Sequence, residues 1–120
     1  MSEANTSSTI VRKALLSASV RSPRAAERVE VKEIELAPGQ ATGLHRHPCH
    51  VVGYIAAGSI LFQVEGQPSK LLKAGDAFHE PQNARMLHFD NASGSAPARF
   101  VAFYLLGAAE ERLIEMLDAC

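Results

Sequence analysis

The sequence predicts an all-β fold, a barrel or closed sandwich built as a single domain. Two observations carry that expectation. Short runs rich in β-branched and aromatic residues recur at a spacing of about 8–12 residues, and Gly or Pro punctuates them almost every time. The intervals leave no room for the crossover helices that parallel βαβ packing requires. A chain of 120 residues is also one domain by length, because a second core would have too little chain to build it.

The elements follow in order. Residues 1–9 are small and polar and read as a disordered tail, so the folded domain is placed at 10–120 with its core at about 29–106. Residues 10–20 show no clear period. Val29, Val31, Ile34 and Leu36 alternate among charged neighbours, which suggests a strand with one wet face and an irregularity near Glu33, ended by Pro38-Gly39. Further strands are expected at 44–47, 51–57, 59–64, 70–72, 77–80, 84–89 and 98–106. Pro48, Gly58, Gly66 with Pro68, Gly75, Pro81 and the segment 91–97 separate them. In 108–118, Leu113, Met116 and Leu117 stand at i, i+3 and i+4, and Glu110 and Glu111 precede them where a helix dipole favours negative charge. A short C-terminal helix is therefore expected there.

Composition narrows the function. Apolar residues make up 47% of the chain, enough to fill the interior of a domain this size without cross-links. The formal charge of −1 is spread along the sequence and forms no basic stripe, so nucleic acid is not an expected partner. No stretch approaches the length of a membrane span, and the first twenty residues lack the pattern of a signal peptide. Cys49 and Cys120 do not form a spaced disulfide framework. Together these point to a cytoplasmic protein.

All five histidines, His45, His47, His50, His79 and His88, fall between residues 45 and 88. In His45-Arg46-His47 the strand period puts both imidazoles on one face, roughly 6–7 Å apart, where they can converge on one cation while Arg46 points away. By itself such a pair is a weak signal that surface histidines which happen to alternate would also give, so its surroundings matter. Gly39 stands six residues ahead of His45, and Gly58 closes the next strand. Gly75 precedes Pro81 by the length of one short strand, and a strand with His88 and Asn91 follows.

These spacings resemble the two signature motifs of the cupin superfamily over about residues 29 to 106. The first runs Gly, five residues, His-x-His, three or four residues, Glu, six residues, Gly; Gly39, His45, His47 and Gly58 match it. The second runs Gly, five residues, Pro-x-Gly, two residues, His, three residues, Asn; Gly75 and Pro81 match, and Asn83 stands for the second Gly, being the residue that best tolerates a positive φ when Gly is absent. The chain departs from the pattern at two ligand positions. The first motif's Glu falls at Val51 or Val52, and the second motif's His is replaced by Met86.

The resemblance implies a double-stranded β-helix, or jelly-roll, barrel whose lumen binds a divalent metal (Fe, Mn, Ni or Zn) and a small molecule. It points to a metal-dependent oxygenase or isomerase; the alternatives are a non-catalytic binding or sensor protein and an inert scaffold. The expected ligands are His45, His47 and a third group, His88 or Glu80, with His88 lying two residues beyond Met86 on the same strand face. Either His79 or Glu80 faces the lumen, and alternation admits only one. His50 is read as a residue of the rim, and Cys49 and Met86 as apolar filling. The apolar lining is expected from Phe62, Phe78, Met86, Leu87 or Phe89, Phe103 and Leu105. A homodimer is expected, formed through residues 10–20 and the C-terminal stripe.

Overall fold

A computed structural model describes residues 10–21, 26–107 and 113–117. Nine strands are assigned among them: β1 (Arg28–Leu36), β2 (His45–Arg46), β3 (His50–Ala57), β4 (Ser59–Val64), β5 (Lys70–Lys73), β6 (Ala77–Glu80), β7 (Met86–Asn91), β8 (Ala98–Leu106) and β9 (Glu115–Met116). They form a four-stranded sheet in the order β1-β8-β3-β6 and a five-stranded sheet in the order β5-β4-β7-β2-β9. All the strand pairs are antiparallel. The all-β expectation holds, and no helix among the described residues is long and apolar enough to cross a membrane.

The core lies between the sheets. Phe62 on β4, Phe78 on β6, Phe89 on β7 and Phe100 on β8 meet ring to ring, with Phe89 and Phe100 centred 4.6 Å apart. Tilted and edge-on contacts of this kind suit the aromatic quadrupole and tie the two sheets together. Ile55, Ile60, Met86 and Leu106 fill the remaining space.

One backbone irregularity decides which side chains of β7 face inward. Opposite β4, the register of β7 runs Phe62 to Phe89 and Gln63 to His88, then shifts so that Val64 meets Met86. Leu87 is thus the extra residue of a β-bulge, and the bulge reverses the alternation that would have put His88 on the same face as Met86. The same extra residue carries an amide to position 91. Asn91 is buried, donates from its side-chain nitrogen to the carbonyls of Leu36, Ala37 and Ala96, and accepts from the Ser93 amide, which binds the end of β1 to the β7–β8 connection. In contrast β1 pairs with β8 without interruption, so the irregularity expected near Glu33 is absent.

Three further expectations need correction or lie out of view. The C-terminal helix does not form in the described part of its range: β9 pairs with β2, His45 opposite Met116 and Arg46 opposite Glu115. Leu113 packs on the core, and edge pairing satisfies backbone groups that β2 would otherwise leave open. Residues 108–112 and 118–120, like the tail at 1–9, lie outside the described residues. On β8 the inward set is Phe100, Ala102, Tyr104 and Leu106, so Phe103 and Leu105 face outward. That strand is apolar on both faces, and its phase cannot be read from alternation.

The turn residues behave as their positions demand. Asn83 takes φ 63°, the left-handed conformation expected where it replaces glycine. Gly53 is required for a different reason, because a Cβ there would lie 2.2 Å from Phe78 Cζ and 2.5 Å from the Val101 carbonyl oxygen. Gly53→Ala should therefore cost about 3 kcal/mol or more by overpacking against backbone that cannot yield. Gly66→Ala meets nothing within 4 Å but must hold φ at 86°, and should cost only about 1–2 kcal/mol. Urea denaturation checks the order, and equal losses would contradict it.

Candidate functional site

The site begins with two histidines at the end of β2. His45 is 2% exposed and His47 4%, and their rings meet edge to face with centroids 5.0 Å apart. Each is aimed by a backbone carbonyl. His45 Nδ1 lies 2.7 Å from the Gly43 carbonyl oxygen, and His47 Nδ1 lies 2.6 Å from that of Leu113. A carbonyl only accepts, so both Nδ1 atoms carry the hydrogen and both Nε2 atoms turn into the interior. The Leu113 contact gives the C-terminal segment a direct part in this arrangement, reinforced by the ion pair of Arg46 with Glu115.

Both Nε2 atoms face one carboxylate. Glu80 Oε1 is 3.2 Å from His45 Nε2 and 3.2 Å from His47 Nε2, and Glu80 is 4% exposed. Its position follows from register: Glu80 on β6 pairs with Val51 on β3. Val51 faces inward where the motif of the first section would have a carboxylate, and the neighbouring strand supplies one instead. Of His79 and Glu80, it is the glutamate that enters. His45, His47 and Glu80 place their donor atoms within 4.8 Å of one another.

Electrostatics explain what such a group requires. Two imidazole lone pairs and a carboxylate oxygen converge where water does not screen them, and only a cation or a proton between them removes the repulsion. Without a metal the proton serves. Burial opposes a charged His45, but its hydrogen bond to Glu80, the Gly43 carbonyl and the negative charges of Glu80 and Asp90 outweigh that and raise its pKa above 6.5. Burial likewise opposes ionised Glu80, yet the hydrogen bonds and charge of His45 and His47 hold its pKa below 4.5. The donor set, two neutral-nitrogen ligands of fixed tautomer and one ionised oxygen, fits a divalent transition metal.

On its outer side His45 Nδ1 also lies 3.4 Å from Thr42 Oγ1, while the inward neighbours of the three donors are Met86, Val51 and Tyr104. Met86, fully buried, pairs with His45 across β2 and β7 and contributes no nitrogen where the motif has a histidine. Tyr104 on β8 stands in the same inward row as Val51 and Glu80, with its ring 5.7 Å from that of His47. Burial first, and then the electrostatic influence of Glu80 and Cys49, raises the pKa of its phenol to about 12. Sequence reasoning missed Tyr104 because the doubly apolar β8 hid its facing.

His88 does not join the group. Its side chain is 46% exposed and pairs with Asp90 at 2.8 Å. His50 and His79 form a separate stacked pair, with His50 Nδ1 3.1 Å from His79 Nε2 and His50 Nε2 2.7 Å from the Arg21 carbonyl oxygen. Cys49 is buried in the core and lies outside the three-residue group. A cavity of about 210 Å³ opens between β4, β5 and β6, lined by Leu16, Phe62, Leu72, Phe78 and His79; none of the three converging residues lines it.

Comparison with known proteins matches residues 32–104 to the cupin domain family. No curated protein matches. Among solved structures, a cupin-like protein from Thermotoga maritima superposes with a TM-score of 0.63 at 24% identity, over 74% of this chain and 64% of that one. Oxalate oxidase in complex with the substrate analogue glycolate gives 0.63 at 22%, over 74% of this chain and 46% of its own. A Klebsiella pneumoniae protein with a double-stranded β-helix domain gives 0.62 at 19%, over 90% of both chains. This chain thus spans about half the length of the oxalate oxidase and under two thirds of the Thermotoga protein. At these identities the likeness is one of fold.

The ion pair sets a pH dependence for the metal-stripped protein. His45 is raised when folded, so its contribution is complete below pH 6.5 and is lost as pH climbs through the folded value. Glu80 is lowered, so its contribution is present above pH 4.5 and is lost as pH falls through the folded value. Thermal melts in chelator should therefore show Tm declining as pH rises above 6.5, and the decline should vanish in His45→Asn. A wild-type profile indistinguishable from the variant's above pH 6.5 would contradict this.

Proposed function

Because the chain belongs to the cupin domain family, with residues 32–104 matching it, we propose that it binds one divalent metal ion on His45, His47 and Glu80 and acts on a small molecule there. The observation that supports this most directly is the convergence of three donor atoms within 4.8 Å, with both imidazole Nδ1–H groups spent on backbone carbonyls. Orientation of that kind recurs at metal-bound histidine and raises its basicity. Two histidines and one carboxylate leave coordination positions open, the pattern of non-haem Fe(II) sites, and Mn, Ni or Zn also accept these donors. When bound, the metal supplies a Lewis acid that polarises an oxygen of the substrate. The chain's own residues hold it, exclude water through Met86, Val51 and Tyr104, and leave Glu80 ionised. The reaction class proposed is metal-dependent oxygenation or isomerisation.

Untagged protein should carry close to one transition metal per chain by elemental analysis. Glu80→Gln, His45→Ala and His47→Ala should each reduce metal affinity at least about 10-fold, the range seen when a metal's supporting residues are lost. His88→Ala should match wild type, since that side chain lies on the outer face. Equal metal content in Glu80→Gln and wild type would remove Glu80 from the site.

A homodimer is proposed as well. The outward face of the four-stranded sheet exposes Val29, Val31, Tyr54 and Phe103, and Ile10, Val11, Leu15 and Leu16 are exposed nearby in sequence to that sheet's first strand. Register aligns Val31, Phe103 and Val52 in one row and Val101 beside Tyr54 in the next, making a continuous apolar patch that a second copy would cover by two-fold symmetry. Light scattering at micromolar concentration should return about twice 12.9 kDa, and Phe103→Glu should return the single-chain mass. A wild-type mass of one chain would exclude the dimer.

A further inference from the structure

Buried polar groups in native proteins are nearly always hydrogen-bonded, so one that is not calls for an explanation. Tyr104 is such a group. It is 6% exposed, and its hydroxyl makes no hydrogen bond with any described residue. By contrast, both nitrogens of His45 and of His47 are engaged, as is Glu80 Oε1. An unmet buried hydroxyl costs about 1–3 kcal/mol, whereas phenylalanine would fill almost the same space at no such cost.

Its location relates that hydroxyl to the site. Tyr104, Val51 and Glu80 are register neighbours across β8, β3 and β6 and all face inward. The Tyr104 ring packs on His47 with centroids 5.7 Å apart. Of the inward neighbours, Val51 and Met86 offer neither donor nor charge, and Cys49 offers only a weak S–H donor. A phenol is protonated at neutral pH and can therefore donate.

Charge then selects the ligand. Two neutral imidazoles, one carboxylate and a divalent ion sum to one uncompensated positive charge in a buried site, and burying a net charge is costly. A monoanion cancels it. The required ligand has a negative oxygen for the metal and a second oxygen that accepts a hydrogen bond.

We propose that Tyr104 heads an oxyanion subsite at the His45–His47–Glu80 centre, its hydroxyl donating to one oxygen of a small monocarboxylate ligand. This rests on the metal reading above and adds the substrate class to it. Tyr104 is the specificity-determining residue of the subsite, and its phenol holds its proton throughout.

Two measurements on wild type and Tyr104→Phe test it. In chelator, the variant should melt at the same temperature as wild type or higher, because no internal hydrogen bond is lost. A fall of several degrees would show that the hydroxyl is already held within the protein and would overturn the subsite. With Co(II) as the probe metal, both proteins should bind the ion with similar affinity. Acetate added to the Co(II) forms, followed by the visible absorption of the metal, should then bind about 10- to 100-fold more weakly to the variant, the loss of one hydrogen bond to a charged group. Equal acetate affinity would overturn the subsite while leaving the metal site intact. Failure of wild type to take up Co(II) would instead overturn the metal reading, and the subsite with it.

Discussion

Three electron-rich atoms, two imidazole nitrogens and one carboxylate oxygen, point at a common position in a dry interior, and the rest of the structure is organised around tolerating that. Left alone they repel. The fold does not separate them, and instead fixes each one from behind. The Gly43 and Leu113 carbonyls hold the imidazoles by their Nδ1–H groups, and the β3–β6 register holds Glu80 against Val51. A group so constrained remains ready for a positive charge, which is what separates it from histidines that merely alternate along a strand.

The supports come from distant parts of the chain. Asn91 closes the end of β1 onto the β7–β8 connection with three donated bonds. The Asn83 amide donates to the His47 carbonyl at 2.8 Å, so the turn after β6 fixes the backbone of one ligand while Glu80, at the end of that strand, faces its side chain. From the other side, β9 pairs with β2 and brings Leu113 to His47. The ends of β2, itself only two residues long, are therefore held from two directions, and the short strand does not have to orient its histidines by its own ladder.

The site differs from the motif it resembles in the origin of its carboxylate. Val51 has taken the glutamate's place on β3, and Glu80 projects from the adjacent strand to the same side. Directly opposed residues in an antiparallel pair have Cβ atoms only about 5 Å apart, so a carboxylate can move to the facing strand and still reach the two imidazoles. Met86 leaves the fourth position without a nitrogen. The result is a group of three donors flanked by the apolar, fully buried Val51 and Met86, with the Tyr104 ring packed on His47.

Local sequence determined the all-β class, the positions of most strands, the left-handed turn at Asn83 and the convergence of His45 with His47, because each depends on residue type and a period of two. It also raised Glu80 as one of two candidates for an inward position. Only the tertiary structure decided between Glu80 and His79, sent His88 to the surface, brought Tyr104 inward and replaced the described part of the expected C-terminal helix with β9. The reason is common to the first three. Alternation specifies facing only while a strand stays regular and one of its faces is polar, and β6 and β8 lack that contrast while β7 inserts an extra residue at Leu87. At the C-terminus the helical stripe of Leu113, Met116 and Leu117 lost to pairing with the open edge of β2, an interaction between residues some seventy positions apart that no local pattern records.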